Sequence, residues 1–282
     1  MNIFEAIFLG ILQGLTEFLP ISSTGHLTLA GKLLNLINPD EPYKWTAFIA
    51  VIQLGTMLAV VVYFWKDIIN IIKAFFTENI KGIKKFSEQS LDSRLGWFII
   101  IGTIPVVIIG LGFKHQIEGA LTKNLLVVSF SLIVLGIILG IAEKVGSFKK
   151  DITGIKWLDS LIVGTAQACA LIPGASRSGT TITAGIFLGF NRETAARFSF
   201  LLSIPAVFAS GLLELKESLS YVNFSDSVNL FAATLASAIV GYITIEFLLR
   251  YLRRKSTFVF VFYRIILGVI ILTLIYSNII KP

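Results

Sequence analysis

The sequence predicts an all-α polytopic membrane protein: six transmembrane helices plus two re-entrant helical hairpins, arranged as an inverted repeat. Three observations predict it. Of 282 residues, 55% are hydrophobic and only 15% are charged, whereas a soluble domain carries about 45–50% and about 25%. Six apolar stretches are long enough to cross about 30 Å of hydrocarbon. Two more are broken in the middle by a polar Pro/Gly turn and resemble each other at an offset of 154 residues. This composition excludes a disordered chain, a coiled coil and an ordinary cytosolic enzyme. The net charge of +7 reflects Lys and Arg gathered in cytoplasmic loops rather than nucleic-acid binding. One cysteine, Cys169, excludes internal disulfides, and with two histidines it leaves no room for a thiolate cluster or a His-rich metal centre.

In chain order, the first hairpin occupies residues 1–37. Its apolar arm, 6–19, runs into Pro20-Ile21-Ser22-Ser23-Thr24-Gly25-His26 before apolar residues resume at Leu27. Spans follow at 45–65, which has Trp at both ends, at 95–113 and at 125–142. The second hairpin, 158–191, carries Pro173-Gly174-Ala175-Ser176-Arg177-Ser178-Gly179-Thr180-Thr181, and spans follow at 194–213, 228–249 and 257–279. Each hairpin arm is too short to cross, and irregular backbone at membrane depth survives only inside protein or beside a wet cavity. A secretory signal peptide is not expected, because no basic segment precedes the first apolar run.

Loop charge sets the orientation. The loops at 66–94, 144–156 and 250–255 carry six, four and four basic residues, against Lys114 and Lys123 in one intervening loop and Lys216 in another. The basic loops are expected in the cytoplasm, with both termini outside. Gly10, Gln13, Ser22, Gly25, Ala30 and Gly31 match Gly164, Gln167, Ser176, Gly179, Ala184 and Gly185 at the same offset. Three spans after each hairpin force opposite orientations on the halves. One integral membrane domain, 1–282, is expected to divide into repeats at 1–143 and 157–280.

Ionisable groups at membrane depth are candidate functional groups. Gln13 and Glu17, at i and i+4, share a helix face and can offer oxygens to Mg²⁺ or Ca²⁺; Glu17 can equally serve a proton relay or an ion pair. Ser22, Ser23 and His26 fall at the first turn. A hydroxyl beside an imidazole is the minimum of an activated nucleophile, although one of the hydroxyls can serve as a helix cap. The second turn puts Arg177 among Ser176, Ser178, Thr180 and Thr181 at a helix start, which suits an anion. No Gly-Lys-[Ser/Thr] tripeptide makes it a P-loop. Glu246 and Arg264, on the last two spans, can pair with each other. Arg192, Glu193 and Arg197 read as topology determinants at the cytoplasmic edge, and His115 as a solvated loop residue. Carboxylate, nucleophile or base, and phosphate clamp are the parts of phosphoryl transfer, here placed for a phosphate tethered to a lipid tail.

Residues 13–26, Gln13 through His26, resemble the (Glu/Gln)-x-x-x-Glu motif and the following Ser-Ser-Thr-Gly-His of the undecaprenyl-diphosphate phosphatases, the bacterial bacitracin-resistance membrane phosphatases. Residues 173–181 resemble their Pro-Gly-x-Ser-Arg-Ser-x-x-Thr motif, and Ile52-Gln53-Leu54-Gly55 with Tyr63-Phe64-Trp65 resemble their third helix. The resemblance covers essentially the whole chain. It implies a multi-pass enzyme of the bacterial plasma membrane, open to the outer face. That enzyme hydrolyses undecaprenyl diphosphate to undecaprenyl phosphate and inorganic phosphate, recycling the lipid carrier of peptidoglycan synthesis and conferring bacitracin resistance, with a divalent cation (Mg²⁺ or Ca²⁺). Position by position, Glu17, His26, Arg177, Ser23, Ser176 and Thr181 match the family's functional residues. Gln13 stands where Glu is commoner, which removes one charged cation ligand.

The expected site is therefore Ser23, His26, Glu17 and Arg177 for catalysis, with Arg177, Ser176, Ser178, Thr181 and Ser22 on the substrate and Glu17 with Gln13 on the cation. The motif leaves open whether Ser23 or His26 attacks phosphorus; the favoured scheme is Ser23 with His26 as its base. The expected partners are an isoprenyl diphosphate lipid, the bilayer and a possible homodimer, with no nucleic acid. The alternative is a flippase-like lipid or solute transporter using the same inverted-repeat cavity. Transport does not require an activated hydroxyl–imidazole pair.

Overall fold

Asn2 starts the first helix. Its side-chain oxygen accepts from the Glu5 N–H at 2.9 Å while the Glu5 carboxylate accepts from the Asn2 N–H at 2.7 Å, a capping box that settles two of the donors a helix start leaves unmet. The computed structural model describes residues 1–38, 40, 42–113, 124–218 and 224–281. Among these the chain is all helical: α1 (Ile3–Phe18), α2 (Ser23–Leu33), α3 (Pro42–Tyr63), α4 (Trp65–Phe76), α5 (Leu91–Gly112), α6 (Leu125–Val145), α7 (Trp157–Cys169), α8 (Arg177–Phe187), α9 (Arg192–Ser218), α10 (Phe224–Leu252) and α11 (Phe258–Tyr276). The described residues contain no strand, only an isolated bridge between Lys150 and Phe190. His115, Lys114 and Lys123 lie outside the described residues.

Six of these helices, α3, α5, α6, α9, α10 and α11, are long and apolar enough to cross a membrane, and they coincide with the six stretches expected from sequence. The protein is a multi-pass membrane protein. The two broken regions form pairs of short helices, α1–α2 and α7–α8. Proline follows the first arm of each pair, at Pro20 and Pro173, where it has no N–H to continue the ladder.

The halves interlock. From the first half, α1 packs on α10 and α3 on α9; from the second, α7 packs on α5 and α11 on α6. Glycine makes the α1–α10 and α7–α5 contacts close. A Cβ on Gly10 would stand 2.2 Å from the Ala233 carbonyl oxygen, and one on Gly164 would stand 2.1 Å from that of Gly102. Small residues let membrane helices approach backbone to backbone, and these two glycines are partners at the 154-residue offset. Between the helices Phe18, Phe64 and Phe200 form a buried aromatic cluster, with Phe18 edge-on to Phe200 at 5.2 Å.

At the edge that carries the basic loops, the expected topology determinants have partners. Arg192 pairs with Glu143, Arg197 with Asp67 at 3.0 Å, and Glu193 with Arg253 at 2.8 Å. The close glycine contacts generate a prediction. Gly10→Ala and Gly164→Ala should each destabilise the protein by about 1–3 kcal/mol through overpacking, while Gly110→Ala, whose Cβ meets nothing within 4 Å, should be neutral. The measurement is the thermal midpoint of the detergent-solubilised, monodisperse protein. Three equal midpoints would remove the close-approach argument.

Candidate active site

The two turns share one local design. Ser22 and Ser176 both sit at positive φ (75° and 69°), and both cap the helix that follows. Ser22 Oγ accepts from the Gly25 N–H at 3.2 Å and Ser176 Oγ from the Gly179 N–H at 3.1 Å. A non-glycine residue held there costs about 1–3 kcal/mol, and such strain collects at functional sites. Because these serines are the caps, α2 starts at Ser23 and α8 at Arg177. Ser23 and Arg177 are the same position in the two broken pairs.

Both first residues point at one carboxylate. Ser23 Oγ donates to Glu17 Oε2 at 2.7 Å, and Arg177 Nη2 donates to Glu17 Oε1 at 2.9 Å. Gln13 Nε2 reaches Oε2 at 3.1 Å from the previous turn of α1, and Gln53 Nε2 of α3 reaches Oε1 at 3.3 Å. Glu17 is 6% exposed, so its charge is held by four donors rather than by water, as a buried ion requires. Arg177 is not saturated in return. Its Nε and Nη1 are buried with no hydrogen-bond partner. A guanidinium that spends one nitrogen on a carboxylate and keeps two unmet donors beside it is built for a further anion. The cleft at this point is lined by both polar and apolar side chains, among them Glu17, Arg177, Thr56 and Ser203 with Phe18 and Val60.

His26 is fixed on both sides of its ring. Nδ1 lies 2.7 Å from the Ser22 carbonyl oxygen and Nε2 lies 2.6 Å from the Tyr263 hydroxyl. A carbonyl can only accept, so Nδ1 carries the proton and Nε2 presents its lone pair, to which Tyr263 donates. The Tyr263 ring stacks on the imidazole, 7° from parallel at 5.6 Å. The Ser23 hydroxyl is directed to Glu17, so the arrangement differs from the hydroxyl–imidazole pair expected from sequence. The reason is the helix start. With Ser22 as cap, Ser23 occupies the first turn facing α1, and His26 turns toward α11.

A model of the family described as bacitracin resistance protein BacA matches residues 6–270. The chain belongs to this family. It is 59% identical to an undecaprenyl-diphosphatase of Syntrophobacter fumaroxidans over 99% of both chains. It is 48% identical to one of Chlorobium phaeovibrioides over the whole of both, and 46% identical to one of Myxococcus xanthus over all of this chain and 92% of that one.

In this BacA-family chain Arg264 does not pair with Glu246, as the sequence had suggested. Glu246 instead accepts from Tyr63 and Arg250. Arg264, 0% exposed, lies between the two turns. Nη1 donates to the Pro20 carbonyl at 3.2 Å and Nη2 to the Ala175 carbonyl at 2.9 Å, while Nε reaches the Leu132 carbonyl at 3.3 Å. Gly179 lets it in, since a Cβ there would stand 2.4 Å from Nη1. Carbonyls of both turns, each just before the helix that follows, are thus satisfied by one cation.

The remaining expected residues belong to the same turns, and their hydroxyls bond within the protein. Ser178 Oγ donates to the Leu19 carbonyl at 2.9 Å, tying the second turn to the first. Thr181 Oγ1 donates to the Arg177 carbonyl at 2.7 Å and lies 2.6 Å from Ser199 Oγ. Gln13 Oε1 is buried without a partner, while its Nε2 faces Glu17. Among the described residues no group of three or more His, Cys, Asp or Glu side chains could hold a metal. Each Glu17 oxygen already accepts two hydrogen bonds, so a cation there would have to displace donors and take most of its ligands from phosphate oxygens and water, as Mg²⁺ does.

Gln53, Thr56, Tyr263 and Arg264 complete the site and were not expected in it. The signal for Arg264 was a charge interrupting an apolar span. Arg264→Ala should destabilise by on the order of 3–5 kcal/mol, the cost of removing one side of a buried charged contact, and Arg264→Lys should recover only part, because an ammonium cannot bridge both turns. Thermal midpoints of the solubilised variants check this; a near-normal Arg264→Ala protein would contradict it.

Proposed function

We propose that the chain is a membrane phosphatase that hydrolyses undecaprenyl diphosphate to undecaprenyl phosphate and inorganic phosphate at the Glu17–Arg177 cluster. The observation that carries the proposal is the pair of buried, unmet donors on Arg177, a residue that with Glu17 lines a cleft of mixed polar and apolar side chains. The names of the curated relatives agree with it. A transporter would need an anion site but not a hydroxyl and an imidazole held in fixed orientations beside it, and this favours the enzyme over a lipid carrier.

In the proposed reaction Arg177 Nε and Nη1 bind oxygens of the terminal phosphate and stabilise the charge that shifts as the anhydride bond breaks. Ser23 Oγ attacks that phosphorus, its proton passing to Glu17, to which it is already bonded. Undecaprenyl phosphate leaves. Water then attacks the phosphoserine and releases inorganic phosphate, Glu17 returning its proton to Ser23 Oγ, while the His26 Nε2 lone pair, once the Tyr263 hydroxyl moves aside, takes the water's proton. Ser176 and Ser22 hold the turns in shape, and Ser178 and Thr181 support Arg177. A divalent cation at Glu17 would supply charge neutralisation at the diphosphate.

The wider architecture proposed is one membrane domain, 1–282, with interlocked inverted repeats at 1–143 and 157–280, α1–α2 and α7–α8 being re-entrant hairpins. The matched capping serines, the matched close-contact glycines and the exchange of packing partners between halves support it. With the basic loops inside, both termini and the mouth of the site face the outside of the plasma membrane. A Gly82→Cys protein in a Cys169→Ser background should therefore resist an impermeant thiol reagent in intact cells and an Asn2→Cys protein should react; the opposite pattern would overturn the orientation.

Steady-state hydrolysis of an isoprenyl diphosphate tests the chemistry. Arg177→Lys should lose roughly 10²–10³ in turnover, the size of effect of one preorganised donor, and Thr181→Ala should lose much less. In double-mutant cycles Ser23→Ala and Glu17→Gln should be strongly non-additive, since they share a hydrogen bond. His26→Ala should instead accumulate the phosphoserine, because only its hydrolysis uses the imidazole. Near-normal turnover in Arg177→Lys would sink the phosphate-clamp assignment, and a His26→Ala protein that forms no phosphoserine would restore the imidazole as the base for Ser23.

A further inference from the structure

Away from the site, α4 and the π-helical turn that continues it (Thr77–Lys81) present three faces. One packs inward: Ile71 is buried, Phe75 lies against Gly96 and Trp97, and Asn79 bonds Ser93 and the Trp97 indole. A second is an exposed apolar stripe, Trp65, Ile69, Ile72, Phe76 and Ile80, from 38 to 61% exposed. A third, next to it at 100° per residue, carries the exposed Lys66, Lys73 and Lys81. The acidic residues of this segment lie off that face and are partnered: Asp67, partly exposed, pairs with Arg197, and the buried Glu78 accepts from the Ser90 N–H at 2.8 Å. The exposed apolar stripe is thus flanked by lysines with no acidic residue among them.

What covers the stripe follows from its continuity and its charge. Leu58 and Val62, the exposed face of the span α3, lead into Trp65 at helical spacing, so the stripe extends a lipid-facing surface. The 22 residues of α3 already give about 33 Å at 1.5 Å per residue, enough for the hydrocarbon core, which leaves α4 at its edge. A helix there, apolar on one side and basic on the other, lies in the plane of the interface. We propose that α4 and its π turn bind anionic phospholipid head groups of the leaflet at the basic-loop side through Lys66, Lys73 and Lys81, with the Trp65–Ile80 stripe among the acyl chains. The proposal is independent of the chemistry at Glu17 and Arg177.

The test uses the full chain in nanodiscs containing brominated phosphatidylglycerol or brominated phosphatidylcholine. Quenching of Trp65 is isolated by subtracting a Trp65→Phe protein. Brominated phosphatidylglycerol should quench Trp65 at much lower mole fraction than brominated phosphatidylcholine, and high salt should weaken the preference. Titration should show a roughly fivefold loss of phosphatidylglycerol affinity for each of Lys66→Gln, Lys73→Gln and Lys81→Gln, while Lys73→Arg should retain it. Equal quenching by the two lipids, or a preference that survives the triple Gln variant, would overturn the proposal. So would a Trp65 that neither lipid quenches in a chain that is dimeric until Ile72→Asp separates it, because the stripe would then be an interface between copies.

Discussion

The buried guanidinium of Arg264 is the constraint on which the site depends. The turns that precede α2 and α8 are buried at residues 20–22 and 174–176, and their carbonyl oxygens are out of reach of the water that would satisfy them in a soluble fold. In apolar surroundings an unmet carbonyl costs on the order of 1–3 kcal/mol. Arg264 meets carbonyls of both turns from a single position on α11. It thereby fixes the distance between the turns, and with it the separation of everything mounted on them.

That separation lets Ser23 and Arg177 converge on Glu17. A fold that placed the turns farther apart would leave Glu17 and Arg177 as two isolated buried charges, each expensive. Brought together they form an ion pair whose cationic member retains unmet donors. Arg264 itself is spent on backbone carbonyls, so the donors open to an incoming anion are those of Arg177, and the low local dielectric strengthens each contact an anion makes there.

Much of this was legible in the sequence. The six spans follow from length and hydropathy, and the broken helices from prolines set within apolar runs. Glu17, Ser23 and Arg177 stood out as polar groups at membrane depth, and the structure brings them within hydrogen-bond reach. The illegible part was set by helix register and by contacts across the fold. Ser22 caps α2 at positive φ, which rotates Ser23 toward α1 and His26 toward Tyr263; nothing local signals that rotation. Gln53 and Thr56 sit in an apolar span where an amide or hydroxyl is ordinary. Arg264 was conspicuous, but its carbonyl partners lie 89 to 244 residues away, and a carboxylate on the neighbouring span looked the simpler partner.

The central claim is that Arg177 holds the transferring phosphate with the donors that the protein leaves unmet. An experimental structure of the protein with a phosphate-mimicking oxyanion, such as vanadate, tests it most directly. The account predicts anion oxygens within hydrogen-bond distance of Arg177 Nε or Nη1, with the Nη2 contact to Glu17 retained and Ser23 Oγ beside the central atom. An anion bound elsewhere while Arg177 kept its unmet donors, or one that displaced Arg177 from Glu17 altogether, would contradict it.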